Sequence, residues 1–214
     1  MIVVAGSNGG IGKFLCEKYR SLGESVQSFS HSEVDVTSIP SIHEWMLRTV
    51  FHEDISLINC TGYTNNALLS KSDPLEWKKT IEVNLVGTYN LLHLFLPLMR
   101  EYGFGRIILF SSVVAQIGVR GTSAYAASKS ALWGLSKAVA VENADKGISI
   151  NCINLGYTDA GMIEKVPITI QSALRKDIPM GRFAYPQEVY NAVEYFRNNP
   201  YTTGVTLDLN GGLV

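Results

Sequence analysis

The beginning of this 214-residue chain constrains its fold more than any other stretch. Ile2 to Ala5 is an apolar, largely β-branched run without alternation, the pattern of a parallel strand buried on both faces. It runs directly into Gly6-Ser7-Asn8-Gly9-Gly10-Ile11-Gly12, and an amphipathic stretch from Lys13 to Leu22 follows. A strand that ends in a glycine turn and opens a helix gathers free N–H groups and a positive dipole end at one point. Backbone without Cβ atoms lets a pyrophosphate approach that point, so Gly6, Ser7, Asn8, Gly10, Ile11 and Gly12 are candidate dinucleotide-binding residues. The spacing is G-x-x-x-G-x-G, distinct from G-x-G-x-x-G. A tight turn without a ligand would use the same glycines. Their place between an N-terminal strand and a helix favours the nucleotide.

The rest of the chain repeats the alternation. Apolar runs at Ser25–Ser30, Ile55–Cys60, Arg106–Phe110, Ile148–Ile153 and Val205–Leu209 read as strands. Helical signals separate them: Ser38 and Pro40 before Ile42, Trp45, Met46, Thr49 and Val50; Asp73-Pro74 before a long helix towards Arg100 with a kink expected at Pro97; and a helix reaching about Asp145, stopped by Gly147. Pro186 and Glu188 open a last helix to Phe196. The expectation is an α/β fold: a doubly wound, mostly parallel sheet of Rossmann type in three α/β/α layers, with residues 1–214 as one domain. Val34-Asp35-Val36-Thr37 reads as a short or vestigial third strand. Only His31 to Glu33 precede it, and a parallel crossover needs roughly a dozen residues. Residues 157–181 lack strong periodicity and form a candidate substrate lid.

Composition narrows the function classes. Hydrophobic residues make up 46% and charged residues 17%, which fits a packed core and excludes disorder. The net charge of −1 gives no reason to expect nucleic acid or an anionic membrane as partner. Cys16, Cys60 and Cys152 lie apart in apolar segments, with no His/Cys cluster, so no metal site is expected and a reducing cytoplasm fits. Met1 to Ala5 lack a basic leader, and Leu91 to Met99 is too short to span a bilayer.

Two local patterns carry chemistry. Tyr125 and Lys129 lie four positions apart in Tyr-Ala-Ala-Ser-Lys, on one face of a helix. An ammonium beside a phenol favours the phenolate, so the pair is a plausible proton donor and acceptor. At the ribose end, an acid about ~20 residues beyond the glycines would mark NAD. Phe29-Ser30-His31-Ser32 contains no carboxylate, which favours NADP(H) over NAD(H). His31 either faces the 2′-phosphate with Ser30 or is an ordinary exposed histidine, and no arginine stands there to clamp a phosphate.

Taken in order, these residues resemble the short-chain dehydrogenase/reductase family over nearly the whole chain. The glycine loop matches its T-G-x-x-x-G-I-G with Ala5 in place of threonine, and Asn59-Cys60-Thr61-Gly62 stands where N-N-A-G is usual. Asn84 in Val83-Asn84-Leu85, Ser112 lying 13 residues before Tyr125, Tyr125 itself and Lys129 match the family's catalytic tetrad, with Ser111 competing for the serine position. The tail, Thr203-Gly204 through Gly211-Gly212, is similar too. The resemblance implies hydride transfer between NADP(H) and a carbonyl or secondary alcohol, with Tyr125 as general acid or base. It implies that Lys129 lowers the tyrosine pKa and holds the nicotinamide ribose, that Ser112 binds the substrate oxygen, and that Asn84 helps hold a water relay. It assigns Asp35 and Val36 to the adenine side and Gly156 to the nicotinamide side. Leu155-Gly156 replaces the family's Pro-Gly, and Ala160 stands where a threonine often contacts the carboxamide; Thr158 is the substitute. The branch resembled is the 3-oxoacyl-carrier-protein reductases, so the substrate is a small carbonyl or alcohol compound, possibly carrier-bound. Lys165, Arg175, Lys176 and Arg182 are the basic residues available near the lid, whose Met162, Ile163, Val166, Ile168 and Ile170 offer an apolar surface or a packing one. The resemblance also implies a homodimer or homotetramer. Alternatives are a non-redox epimerase or dehydratase of the same family and a silent nucleotide-binding regulator.

Overall fold

A computed structural model describes residues 1–214, apart from the side chains of Met162 and Lys165. Six parallel strands form one sheet in the order β2-β1-β3-β4-β5-β6. They are β1 (Ile2–Ala5), β2 (Val26–Phe29), β3 (Ser56–Asn59), β4 (Gly105–Ser112), β5 (Ile148–Leu155) and β6 (Thr206–Leu209). The helices are α1 (Gly10–Ser21), α2 (Ile39–Leu47), α3 (Pro74–Ile81), α4 (Gly87–Tyr102), α5 (Val114–Ile117), α6 (Ser123–Asn143), α7 (Ile168–Asp177) and α8 (Pro186–Asn198). The order of neighbours reverses at β1, whose partners are β2 on one side and β3 on the other. Ligands bind beyond the carboxyl ends of the strands at such a switch point.

Alternate residues of the strands feed two cores, as period two requires. Val3, Ala5, Leu57, Ile107 and Leu109 pack with Ile42 of α2, Phe95 of α4 and Leu132 of α6. Ile2, Val4, Ile58, Ile108 and Ile153 pack with Leu15 and Tyr19 of α1 and Val193 and Phe196 of α8. The expected three layers are therefore present.

The short or vestigial third strand expected at Val34–Thr37 makes no strand ladder. Val34 to Thr37 is a turn, and β2 is an edge strand. Val34 and Val36 still bury their side chains. The Asn90 side chain donates to the Val36 carbonyl at 2.9 Å, and a Cβ on Gly87 would sit 2.7 Å from Val36 Cγ2. Helix α4 thus holds this segment by contacts other than a strand ladder. Pro97 lies within α4, while the backbone departs from the α pattern earlier, as a π-helical turn over Glu82–Val86. Residues 157–181 contain a 3₁₀ turn (Gly161–Lys165) and α7, and Ile163 and Ile178 of this segment pack with Phe183 in a small separate core.

Candidate active site

The carboxyl edge of the sheet gathers the chemistry. Gly6 has φ +83°, which an L side chain rarely adopts, and a Cβ there would lie 2.9 Å from the Cys60 carbonyl. A Cβ on Gly12 would lie 2.3 Å from the Gly6 oxygen. The turn therefore needs glycine at both places. Gly6 and Ser7 donate their N–H groups to the Phe29 carbonyl at 2.9 and 3.0 Å, which ties the loop to the end of β2. Asn8 reaches the His31 ring at 3.4 Å. Helix α1 begins after Gly9 without a side-chain cap, leaving its first turn suited to an anion, with Gly10, Ile11 and Gly12 presented there.

On β3, Asn59 Oδ1 accepts from the Thr61 amide and hydroxyl, and its Nδ2 donates to Thr88 Oγ1 at 2.9 Å. Thr88 in turn donates to the Asn84 carbonyl at 2.7 Å. Asn84 sits in the π-helical turn and is buried. Its Oδ1 accepts from the Tyr63 amide at 2.7 Å, and its Nδ2 donates to the Tyr63 carbonyl and Ser128 Oγ, both at 2.9 Å. Both N–H groups of the amide and one lone pair of Oδ1 are used within the protein, so its side chain acts as a clasp between the Gly62–Tyr63 loop and α6. Tyr63 and Ser128 were not singled out from the sequence; Ser128 lies inside the Tyr-x-x-x-Lys motif, where its spacing gave no distinct signal.

Ser111 and Ser112 alternate across β4. The Ser111 hydroxyl donates to the Lys129 carbonyl at 2.9 Å and so supports the helix backbone. Ser112 faces the other way, towards the Tyr125 phenol. That separation favours Ser112 over Ser111 as the serine on the Tyr125 side. Burial raises the Tyr125 pKa, and the Ser112 hydroxyl opposes the rise. Lys129 Nζ donates to the Phe110 carbonyl at 2.8 Å and lies 5.7 Å from the Tyr125 ring centroid. Its own pKa falls to about 8, because burial penalises the ammonium. Burial is the larger influence on the Tyr125 phenol, and Ser112 is the group that lowers it. Gly62 lies between the two polar groups: a Cβ there would be 3.7 Å from Lys129 Nζ and 3.8 Å from Asn84 Oδ1.

Other residues expected at the site have local partners. Asp35 Oδ1 accepts from the Thr37 amide and hydroxyl. Cys60 is held by the Ala5 carbonyl through its amide, and burial raises its thiol pKa. Gly156 packs on Asn210, whose Cα would be 2.7 Å from a Cβ. Thr158 is buried, and its hydroxyl has no protein partner. An orphaned buried hydroxyl fits a ligand carboxamide, and the glycine cradle fits a pyrophosphate, so the residues present suit a nicotinamide dinucleotide. Gly161, with φ +73°, rests its backbone on Gly10: a Cβ on Gly10 would lie 2.3 Å from the Gly161 nitrogen. The proposed lid thus borders the cradle directly. Within it, Ile163 and Val166 pack inward, Ile168 and Ile170 are exposed, and Met162 and Lys165 fall outside the described side chains. Arg175 approaches Asp159 and Arg182 pairs with Glu188, so both have partners within the chain. Among the described residues no His/Cys/Asp/Glu group is placed to hold a metal.

Comparison with known proteins agrees with this geometry. Residues 10–214 match the family model described as Enoyl-(Acyl carrier protein) reductase. The chain is 30% identical over 242 residues to the acetoacetyl-CoA reductase of Allochromatium vinosum, covering 99% of this chain and 97% of that protein. It is 31% identical over 234 residues to the 3-oxoacyl-[acyl-carrier-protein] reductase of Escherichia coli, covering 99% and 96%. The ligand-free aldohexose dehydrogenase of Thermoplasma acidophilum superposes with a TM-score of 0.90 at 28% identity, covering 99% and 93%.

Proposed function

The chain belongs to the short-chain dehydrogenase/reductase family, and on that premise we propose that it reduces a carbonyl compound, or oxidises the matching secondary alcohol, with Tyr125 moving the proton. The observation that carries the reading is the convergence of Ser112, Tyr125 and Lys129 at the carboxyl ends of β4 and α6's first turns, beside the glycine cradle. When bound, the nicotinamide supplies or accepts the hydride. Ser112 donates a hydrogen bond to the substrate oxygen and orients it. The Tyr125 phenol gives that oxygen its proton in reduction and takes it back in oxidation. Lys129 remains largely protonated at pH 7 and supplies positive charge under the site. Asn84 fixes α6 relative to the Gly62–Tyr63 loop through Ser128, so that Tyr125 and Lys129 keep their positions.

The relatives named for acetoacetyl-CoA and 3-oxoacyl carrier protein support a 3-oxo thioester as the first substrate class to try. NADP(H) is the dinucleotide of this reading, supported by the absence of a carboxylate from Phe29–Ser32. Association into a dimer or tetramer belongs to this reading; Tyr89 of α4 and Val141 of α6 are large apolar side chains left exposed. A cytoplasmic location is supported by three free cysteines, and no helix among the described residues is long and apolar enough to cross a membrane. The test is a panel of 3-oxo thioesters, sugars and simple ketones with reduced dinucleotide, followed at the nicotinamide absorbance. Oxidation of the dinucleotide with one substrate class is the result expected. Binding of dinucleotide without turnover on any of them would contradict the proposal.

A further inference from the structure

A buried line of hydrogen bonds runs from the carboxyl end of β3 to Tyr125, and its direction is set link by link. The Thr61 amide is a donor only, so the Asn59 carboxamide turns Oδ1 towards it and Nδ2 to the other side. Nδ2 then donates to Thr88 Oγ1 at 2.9 Å. With its oxygen accepting, the Thr88 hydroxyl keeps its own proton for the Asn84 carbonyl, at 2.7 Å. Asn84 Nδ2 donates to Ser128 Oγ at 2.9 Å, and Ser128 donates to the Tyr125 carbonyl at 2.8 Å. Asn59, Thr88, Asn84 and Ser128 are all buried, so the links are shielded from water.

Thr88 stands at the joint where the helix changes pitch. Glu82–Val86 is π-helical, with the Gly87 amide donating to the Glu82 carbonyl five residues back, and α4 resumes at Gly87. Single turns of this kind are frequent at functional sites. A threonine hydroxyl that returns to the carbonyl four residues back bends a helix at that point. The bent turn carries Asn84, whose carboxamide meets the Tyr63 backbone as well as Ser128. Asn59 and Thr88 therefore hold the turn in the rotation that lets Asn84 reach α6. With Tyr125 read as the group that moves the proton, we propose that Thr88 is a positioning residue for it, acting through Asn84 and Ser128. Valine would fill much the same space but supplies neither the acceptor for Asn59 nor the donor for Asn84, so two buried groups would lose their partners at once. Serine keeps both roles and gives up only a methyl group. No link in the line involves the Gly6–Gly12 turn, so dinucleotide binding is expected to survive either change.

The test compares Thr88→Val and Thr88→Ser in the full chain. It measures kcat at saturating dinucleotide and substrate, the pH profile of kcat, and dinucleotide affinity by nicotinamide fluorescence. Thr88→Val is expected to lower kcat at least ~10-fold, within what a small misplacement of a reacting group costs, and to move the pH profile. Dinucleotide affinity should stay close to wild type. Thr88→Ser should restore most of kcat and the wild-type profile. A valine variant with wild-type kcat would overturn the inference, as would a serine variant as slow as the valine one, or equal losses of kcat and dinucleotide affinity in Thr88→Val. If wild type turns over no carbonyl substrate, the reading of Tyr125 fails separately, and melting temperatures then decide the link. The loss in the double variant Thr88→Val, Ser128→Ala should fall short of the sum of the single losses, and an additive loss would overturn the inference.

Discussion

The two halves of the sheet's carboxyl edge are built differently. Under the reaction residues, β4 and β5 run eight residues each and are paired along their whole length. Under the dinucleotide cradle, β1, β2 and β3 run four residues each, and β2 has no outer neighbour. On the first side, Ser111 supports the Lys129 backbone, Phe110 takes the Lys129 ammonium, and Asn84 clasps α6 through Ser128. On the second side, the glycine turn rests on backbone hydrogen bonds, and the corner is closed by an exposed turn and by Gly161. Proton transfer demands fixed distances, so its residues sit on long, buried elements. The cradle depends on a single tight glycine turn, which four-residue strands are long enough to hold.

The division is open to attack from both sides. The largest effect is expected at Lys129. Lys129→Met should lower turnover by on the order of 10²–10⁴, the range of a lost acid–base group. It should also change how stability responds to pH. The folded Lys129 pKa is lowered to about 8, below its unfolded value near ~10.4. Across that window the unfolded chain holds a proton that the folded chain has released, so wild-type stability gains from this residue as pH rises, by on the order of 3 kcal/mol. Urea melts from pH 7 to 10 should show a rise relative to Lys129→Met. A difference that stays flat would mean the ammonium is not desolvated.

Gly6→Ala should act on the other half. The residue would be held at φ +83° with its Cβ against the Cys60 backbone, costing roughly 1–3 kcal/mol. Dinucleotide affinity should fall more than tenfold by titration, while turnover at saturating cofactor should recover most of its wild-type value. Turnover lost at saturation would break the separation of the halves. A smaller change is expected for Asn84→Ala. It leaves the half-buried Tyr63 amide without its acceptor, costing about 1 kcal/mol in denaturant melts, with a larger loss in kcat than in cofactor affinity. Smallest of all is Ser111→Ala, which should cost about 1 kcal/mol and change turnover less than Ser112→Ala. The reverse order would reassign the substrate hydrogen bond.

Much of this was legible from residue patterns. Period-free apolar runs marked β1, β3 and β4, Asp73-Pro74 marked the start of α3, and Gly147, with φ +74°, marked the end of the α6 segment. Four-residue spacing placed Tyr125 and Lys129 on one helix, but it could not show that Lys129 would turn to the Phe110 carbonyl. Val34 and Val36 read as strand residues because they are β-branched and alternate with polar ones; their burial comes instead from packing in the core that α4 shares. The π-helical turn at Asn84 has no local composition signal, since it arises from contacts with Tyr63 and Ser128, far away in sequence. The contact of the Glu33 carboxylate with Ser30 depends on a folded turn that spacing alone does not reveal.

The most direct test of the division is Tyr125→Phe, assayed for dinucleotide binding and for turnover on the same preparation. The account expects binding within about threefold of wild type and turnover reduced by at least ~10². Turnover equal to wild type, or a parallel loss of both, would contradict it.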